Sequence, residues 1–445
     1  MREKEITFVN PRDFCKFVPN TPYPPLGIGY LTSVLREKDY QANLIDGQIL
    51  PPDEYEKRLI ENKAEVLGIS ATIKQMQEAK KVASIVKSHN PEIVVVIGGA
   101  GPNSLPPEGV LRSRVIDIIV RGEAEETLPK LLETLRSHSS LERVPNIVYL
   151  ENGVLVETKT AAFPTDLDKI PFPARDIFPQ AAYLARWVEN TGMTSIAIMS
   201  SRGCPFACIF CDKTISGRKV RVRSSENVVN EMQVLAEGYW PLDDIFFYDD
   251  LFVCDRKRVL AICDEILKRG LDLSWSAQAR VDGVDLDMLK QMKKAGCDEL
   301  YFGVESGSNR ILKSLRKGFT REQIIEAFRL CHQAGIKPGV YIIVGVPGET
   351  QEDIDATKSL IREIRPYLLN FSYLTPFPNT PLYEKTKDLL VTQNYTQWDE
   401  MIETPYKREC FEIDPKEAHD QIYEVFKELV ARGMEHSSLQ FICDQ

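Results

Sequence analysis

Positive charge and long apolar runs are both in short supply in this sequence. Lys and Arg total 55 against 65 Asp and Glu, a formal net charge of −10, so we expect no long-range attraction of the whole molecule to nucleic acid or anionic lipid. No window approaches the roughly 18 apolar residues that a membrane-spanning helix needs. The N-terminus lacks the apolar stretch of a signal peptide, which predicts a cytoplasmic protein. The basic run Arg218–Arg223 belongs either to a solvated strand face or to a contact with phosphate or substrate.

Histidine is also scarce, since the chain has only five, and none lies near a group of cysteines. Most of the ten cysteines stand singly and are expected to be inert core residues, whereas Cys204, Cys208 and Cys211 fall close together. In a reducing compartment this grouping indicates a metal site rather than disulfides. A structural zinc site normally needs four ligands. Three thiolates on one loop instead suit three irons of a cubane cluster, whose fourth iron stays open for a ligand from a substrate.

Short β-branched runs alternate with helix-like segments from residue 6 to about residue 135. This alternation predicts a parallel sheet covered on both faces, an α/β doubly wound or Rossmann-like domain. The predicted strands are 6–9, 42–45, 66–69, 93–97 and 117–120, with helices that include 29–38 and 76–87. Doubly wound sheets bind ligands at the carboxyl ends of their strands. The loops 10–20, 46–47, 70–72 and 98–101 are therefore expected to line a pocket.

A second strand–helix series begins at Ser195. Its six predicted strands are 196–199, 244–248, 274–278, 299–303, 340–344 and 369–373. Six such units predict a partial (β/α)6 barrel. Between the two series, a hairpin is predicted around Asn152 and Gly153. We divide the chain into a Rossmann-like domain (1–140), a connector (141–190), a partial barrel (191–380) and a small C-terminal region (381–445).

The three cysteines lie in the segment SRGCPFACIFCD, directly after the first strand of the second series. Their spacing resembles the signature of the radical S-adenosylmethionine (SAM) superfamily. The resemblance implies a [4Fe-4S] cluster held by Cys204, Cys208 and Cys211, with the amine and carboxylate of SAM on the open iron. It also implies that an electron from the cluster breaks the sulfonium bond and yields methionine and a deoxyadenosyl radical.

Further segments extend this resemblance through the second half of the chain. Phe210 occupies the position that lies against adenine in the family, with ordinary packing as the alternative. Glu305 and Ser306 end the fourth strand, where the family contacts the SAM amino group or ribose; a helix N-terminal acid is the alternative for Glu305. Gly345 and Val346 lie in the glycine-containing fifth strand, where the family holds adenine, and a plain buried strand is the alternative.

Two more pairs of side chains end strands of the predicted barrel. Gln278 and Arg280 end the third strand, where they are expected to contact the SAM carboxylate or ribose. A surface ion pair is the alternative for Arg280. Asp249 and Asp250 follow the second strand and are expected either to cap a helix or to line the site.

The first domain resembles the cobalamin-binding domain of class B radical SAM methylases. The segments that carry the resemblance are 23–31, 44–46, 66–70, 96–101 and 120–126, in the family's order. The residues implied to contact cobalamin are Ser70, Thr72, Gly98, Gly99, Gly101 and Glu123. The chain departs from cobalamin mutases in lacking the Asp-x-His-x-x-Gly element, whose histidine ligates cobalt. A vestigial domain without cobalamin is the alternative.

The combined resemblance implies a cobalamin-dependent radical SAM methyltransferase. Its substrate would be a small molecule or natural product methylated at an unactivated carbon, and its reducing partner a flavodoxin or ferredoxin. Cyclisation, rearrangement or oxidation without net methyl transfer stays open as the alternative. Methylthiolation ranks low, because it requires a second cluster and only Cys15 precedes Cys204. An electron carrier would need no SAM pocket.

Overall fold

The computed structural model describes residues 4–12, 22–239, 241–392 and 405–436. It contains a seven-stranded sheet, a six-stranded sheet and a two-stranded pair. The predicted loop 10–20 is described only up to residue 12, and Cys15 lies outside the described residues.

The first sheet follows the predicted alternation of strands and helices. Its elements are β1 (Glu5–Asn10), α1 (Leu26–Arg36), β2 (Gln41–Asp46), α2 (Pro52–Ile60), β3 (Val66–Ser70), α3 (Met76–His89), β4 (Val94–Gly98), α4 (Ala100–Ser104), α5 (Pro107–Leu111), β5 (Ile118–Val120), α6 (Thr127–Arg136), β6 (Ile147–Glu151) and β7 (Val154–Glu157). The strand order is β2-β1-β3-β4-β5-β6-β7, parallel from β2 to β5. The doubly wound fold and its five predicted strands are confirmed.

The predicted hairpin is present, with Asn152 and Gly153 at φ 50° and 80°. It adds β6 and β7 to the first sheet as antiparallel strands, so the segment 141–190 is more than a connector. The physical reason is that β5 would otherwise present an unpaired edge, which the hairpin covers. The domain boundary at residue 140 stays a prediction, and the first sheet itself reaches Glu157.

The second sheet is the open barrel that the six predicted strands required. Its elements are α7 (Gln180–Thr191), β8 (Ser195–Ile198), β9 (Ser201–Arg202), β10 (Arg221–Val222), α8 (Ser225–Gly238), β11 (Asp244–Phe247), α9 (Arg256–Arg269), β12 (Ser274–Ala279), α10 (Leu286–Lys294), β13 (Cys297–Glu305), α11 (Asn309–Ser314), α12 (Arg321–Ala334), β14 (Lys337–Val344), α13 (Gln351–Ile364), β15 (Leu368–Tyr373), α14 (Pro381–Thr386) and α15 (Pro415–Ala431). The strand order β15-β14-β13-β12-β11-β8 is parallel throughout, and β9 pairs with β10.

Alternation along each barrel strand separates two faces. Outward side chains such as Ile245, Phe247 and Trp275 are fully buried under the surrounding helices, and α15 packs on α13 to extend that core. Inward side chains such as Phe246 and Tyr301 form a separate cluster in the barrel lumen. Among the described residues, no helix combines the length and apolar character needed to cross a membrane.

Candidate active site

The three cysteines lie on the loop that follows β9, beyond the carboxyl end of β8. Cys208 is buried, Cys204 and Cys211 are partly exposed, and all three are free thiols. The loop is anchored in its middle, where the Ile209 N–H donates to the Leu315 carbonyl at 3.2 Å. The thiols are therefore held at the end of the barrel where parallel-stranded folds place their chemistry.

Two aspartates behind the loop hold it in place. Asp249, 2% exposed, accepts hydrogen bonds from the Ser200 N–H and the Ser201 hydroxyl, both at 2.6 Å. Asp250 accepts from the N–H of Gly203, which stands at φ 90°, at 2.7 Å. These carboxylates therefore brace the cysteine loop, a role that differs from both sequence expectations.

The electrostatics of the loop favour thiolate at Cys208. The hydrogen bond from Cys211 lowers the pKa of Cys208 to about 6, assisted by the charges of Lys317 and Arg280 and opposed by burial. The same hydrogen bond, together with burial, raises the pKa of Cys211. A thiolate is the form that binds iron, so Cys208 is the thiol best prepared for metal ligation.

The donor set fits an iron–sulfur cluster better than a single ion. Within the described ranges, no three His, Cys, Asp or Glu side chains are grouped so that they could hold one metal ion. In a cubane cluster each thiolate binds a different iron, so three cysteines have no need to converge on one point. The neighbouring Arg280 and Lys317 supply positive charge that offsets the thiolates.

A buried ion pair lies beside the cysteines at the end of β13. Glu305 is 6% exposed and has φ 72°, a conformation that costs energy for any residue but glycine. Lys317 donates to Glu305 Oε1 at 2.9 Å, and its Nζ lies 5.7 Å from the ring centroid of Phe210. Two predicted SAM residues, Phe210 and Glu305, are thus brought together through Lys317.

The glycine-containing strand end packs on the same region. Gly345 has φ 78°, and its N–H donates to Glu349 Oε2 at 3.2 Å. Val346 belongs to the same hydrophobic cluster as Phe210. Ser306 is 1% exposed and accepts the Ser308 N–H at 3.1 Å, so its hydroxyl is used within the protein.

Arg280 is a buried residue, so the surface ion pair considered from sequence is wrong. Its guanidinium forms two 2.9 Å hydrogen bonds with Asp282 and donates to the Lys317 carbonyl at 2.7 Å. Arg280 Nη1 also lies 4.0 Å from Cys208 Sγ. Gln278, two residues earlier on β12, is partly exposed.

A cavity of about 190 Å³ lies at the carboxyl ends of β3 and β4 in the first sheet. Four of the six residues predicted to contact cobalamin line it: Ser70, Gly98, Gly99 and Glu123. Thr72 and Gly101 are not among the lining residues; a Cβ on Gly101 would lie 2.5 Å from the Thr72 carbonyl oxygen, so these two residues pack on each other.

The lining of this cavity combines exposed backbone with apolar side chains. Five glycines and Ser70 line it beside side chains such as Leu128 and Met199, and a Cβ on Gly68 would meet the Phe8 ring at 2.9 Å. No histidine of the described residues lines it, in agreement with the missing histidine element. The residues present therefore fit a corrin without a lower histidine ligand, one end of which this volume would enclose.

A buried ion-pair network joins this cavity to the cysteine loop. Arg202 Nη1 lies 3.1 Å from Glu123 Oε2, and its Nη2 lies 2.7 Å from Glu125 Oε1. Arg221 donates to the same oxygen, Glu123 Oε2, at 2.8 Å. The Arg202 guanidinium also lies 5.2 Å from the Tyr30 ring centroid. Glu123 is thus on the cavity wall with its carboxylate already paired.

Comparison with known proteins agrees with both sites. The profile of the Radical SAM superfamily matches residues 198–361, and that of the B12 binding domain matches residues 17–132. An uncharacterized methyltransferase of Pyrococcus horikoshii is 34% identical over 388 residues, covering 86% of this chain and 83% of that protein. The chain is a radical SAM enzyme with a cobalamin-binding domain. Its cofactors are a [4Fe-4S] cluster, SAM and cobalamin.

More distant relatives share the whole two-domain arrangement of this radical SAM enzyme. The anaerobic magnesium-protoporphyrin IX monomethyl ester cyclase of Rubrivivax gelatinosus is 28% identical, covering 85% of this chain and 69% of that protein. The structure of the radical SAM methyltransferase TsrM from Kitasatospora setae, with cobalamin and a [4Fe-4S] cluster bound, superposes with a TM-score of 0.74. It covers 95% of this chain and 89% of its own at 17% identity, which supports the shared fold.

Two positions in this radical SAM enzyme escaped the sequence reasoning, and the role of a third was missed. Lys317 lies in a loop twelve residues after Glu305, and no motif in the surrounding sequence indicates that it pairs with Glu305. Asp249 was noticed, but its hydrogen bonds to the cysteine loop depend on strand pairing between β11 and β8. Arg202 carried a usable signal, since it stands two residues before Cys204 and is a charged residue in a buried strand.

Proposed function

We propose that this radical SAM enzyme catalyses cobalamin-dependent methylation of an unactivated carbon in a small-molecule or natural-product substrate. The observation that carries the proposal is the adjacency of its two sites. Met199 and Arg202 line the cavity of the first domain, and the same short segment leads into Cys204. A corrin in that cavity and a cluster on the loop would therefore be neighbours.

The proposal includes an assignment of residues to the cluster, to SAM and to cobalamin. Cys204, Cys208 and Cys211 bind the cluster. Residues around SAM are Phe210, Gln278, Arg280, Glu305, Gly345 and Val346, with Ser306 supporting the end of β13. Residues around cobalamin are Ser70, Gly98 and Gly99, with Glu123 acting through its ion pairs.

When bound, these cofactors supply reductive cleavage of SAM and a transferable methyl group. The chain's own part is to bind and orient. Glu305, paired with Lys317, offers a carboxylate to a cationic amino group, and Phe210 offers an apolar ring face. Arg280 and Glu305 are each 6% exposed, so water has little access to these two charges. An external one-electron donor such as a flavodoxin or ferredoxin completes the proposal.

Radical cyclisation, rearrangement or oxidation without net methyl transfer is the second candidate. It is favoured by one observation, that a relative covering 85% of this chain is a cyclase. The two candidates predict different products from SAM. Methylation consumes SAM as methyl source as well as oxidant, so S-adenosylhomocysteine appears beside 5′-deoxyadenosine.

The test is anaerobic purification and reconstitution, followed by assay of SAM products with a chemical reductant. We expect corrin absorbance, 5′-deoxyadenosine and S-adenosylhomocysteine from the wild-type protein. Cys204→Ala should abolish 5′-deoxyadenosine, whereas Cys410→Ala, a matched change of a partly exposed cysteine outside the loop, should not. Deoxyadenosine without S-adenosylhomocysteine would favour the second candidate, and absence of bound corrin would overturn the cobalamin-dependent version.

A further inference from the structure

An aromatic ring is exposed inside the barrel mouth. Tyr248 directly follows β11 and is 55% exposed, the most exposed aromatic side chain among the described residues. Its side chain points into the lumen rather than to bulk solvent, because it contacts Phe246 and Tyr23 with centroid distances of 5.8 Å and 6.4 Å. Phe247, which lies between Phe246 and Tyr248 in the sequence, faces the outer core. An exposed ring within a concave wall marks a binding surface.

Tyr248 is one end of a continuous aromatic arc. Phe246 contacts Tyr301 at 6.0 Å, and Tyr301 contacts Tyr341 at 6.2 Å, so the arc runs across β11, β13 and β14. The Tyr301 ring lies over Gly339, where a Cβ would come within 2.5 Å of it. The barrel therefore keeps a glycine where a side chain would displace the ring. Tyr23 stacks on Phe246 at 5.6 Å with an interplanar angle of 6° and closes the floor.

The arc lies next to the end of the barrel that carries the cysteines. Tyr248 follows Phe247, which is level with Ala277, so Tyr248 stands level with Gln278 of β12. Arg280 is two residues further along, a rise of about 6.6 Å in a strand. The Tyr248 N–H donates to the Ile198 carbonyl at 2.8 Å, which fixes the ring beside the strand that leads to Cys204. A ligand on the Tyr248 ring would thus lie within one small-molecule length of the SAM residues.

We propose that the exposed ring of Tyr248, backed by the buried rings of Phe246 and Tyr301, is the substrate subsite and that it takes a planar conjugated ring. Flat rings gain from stacked and edge-to-face contacts with tyrosine and phenylalanine that a saturated ring of equal size cannot match. This inference rests on the proposed function, since it names the substrate class for the same radical site. The side-chain hydroxyl of Tyr248 adds a polar end but is not needed for stacking, so the ring itself carries the recognition.

The test uses indole as a planar probe and cyclohexanol as a non-planar one, in equilibrium dialysis against the reconstituted enzyme with SAM. We expect saturable indole binding and cyclohexanol binding at least about tenfold weaker. Tyr248→Leu should weaken indole binding by about tenfold, which corresponds to the stacking contribution of one ring. Tyr248→Phe should keep the wild-type affinity for indole. Tyr367→Leu, at the other end of the barrel strands, is the matched control and should also keep it.

Equal binding of the two probes, or wild-type indole affinity in Tyr248→Leu, would overturn the inference. SAM affinity and 5′-deoxyadenosine formation are measured on the same samples. If these fail in the wild-type protein, the proposed function is wrong; if they persist while indole fails to bind, only the substrate class is wrong. Because Tyr248 is exposed, its substitution is expected to leave folding intact.

Discussion

At the scale of single residues, Glu349 shows how burial sets a charge state. It is 6% exposed, beside Gly345, at the end of the fifth barrel strand. Burial raises its pKa to about 7, although the N–H groups of Gly345 and Val346 work in the opposite direction. Near neutral pH this carboxyl is therefore partly protonated. The loop that holds Gly345 is thus tied to a titrating group.

Glu349→Gln should change how stability depends on pH. A carboxyl whose pKa is higher in the folded state stabilises the fold fully below its unfolded value of 4.5, and that contribution is lost as pH rises through about 7. The difference amounts to about 3 kcal/mol. The free energy of unfolding, measured with denaturant at pH 5, 6 and 7, should decline less with rising pH in the variant than in the wild type. Glu352 is an exposed neighbour, and the stability of the Glu352→Gln variant should depend on pH as that of the wild type does.

At the scale of elements, the cysteine loop depends on contacts from outside itself. Asp249 follows β11, accepts from residues that follow β8, and faces Arg258 of α9, whose Nη2 lies 3.7 Å from it. Arg258 Nη2 also donates to the Ser200 carbonyl at 2.9 Å. A strand end, a loop and a helix thus share one buried polar cluster, whose members lack solvent as an alternative partner.

Asp249→Ala should loosen the loop, since it leaves the buried Arg258 charge without its counter-charge and the Ser200 N–H without its acceptor. We expect a loss of about 3 kcal/mol and a reduced iron content after reconstitution. Asp255→Ala is the control, because Asp255 only caps α9 by accepting from the N–H groups of Lys257 and Arg258. It should cost about 1 kcal/mol and leave iron binding unchanged. Full iron content in Asp249→Ala would contradict this account.

At the scale of the whole molecule, buried charges connect the two domains. Glu123 and Glu125 follow β5 of the first sheet, whereas Arg202 and Arg221 belong to the two-stranded pair beside the barrel. The side chains of all four are less than 10% exposed. Removing one member of such a network leaves another charge buried without compensation, which costs more than the pair itself contributes.

Arg202→Met should therefore weaken domain docking and cobalamin retention together. We expect a loss of about 3–5 kcal/mol in stability and a lower corrin content per chain after gel filtration, because Arg202 also lines the cavity. Arg36→Met is the matched control. It breaks the surface pair with Asp176, whose side chains are 44% and 66% exposed, and should cost at most about 1 kcal/mol. Unchanged corrin content in Arg202→Met would count against the coupling.

Most of the fold was predictable because strand and helix periodicity is a local property of the chain. The segments that were predicted as five strands of the first sheet and six of the second all form strands. The hairpin at Asn152 and Gly153 was also predictable, but its attachment to β5 was not, since pairing with an edge strand depends on distant residues.

The candidate site divides in the same way. The sequence by itself determined the three cysteines and the family, because their close spacing puts three thiols on one loop whatever surrounds them. Only the tertiary structure decided that Lys317 pairs with Glu305, that Arg280 is buried beside Cys208, and that Arg202 reaches across to Glu123 and Glu125. The physical reason is that a buried charge is stable only with a partner, and folding selects that partner by proximity in space.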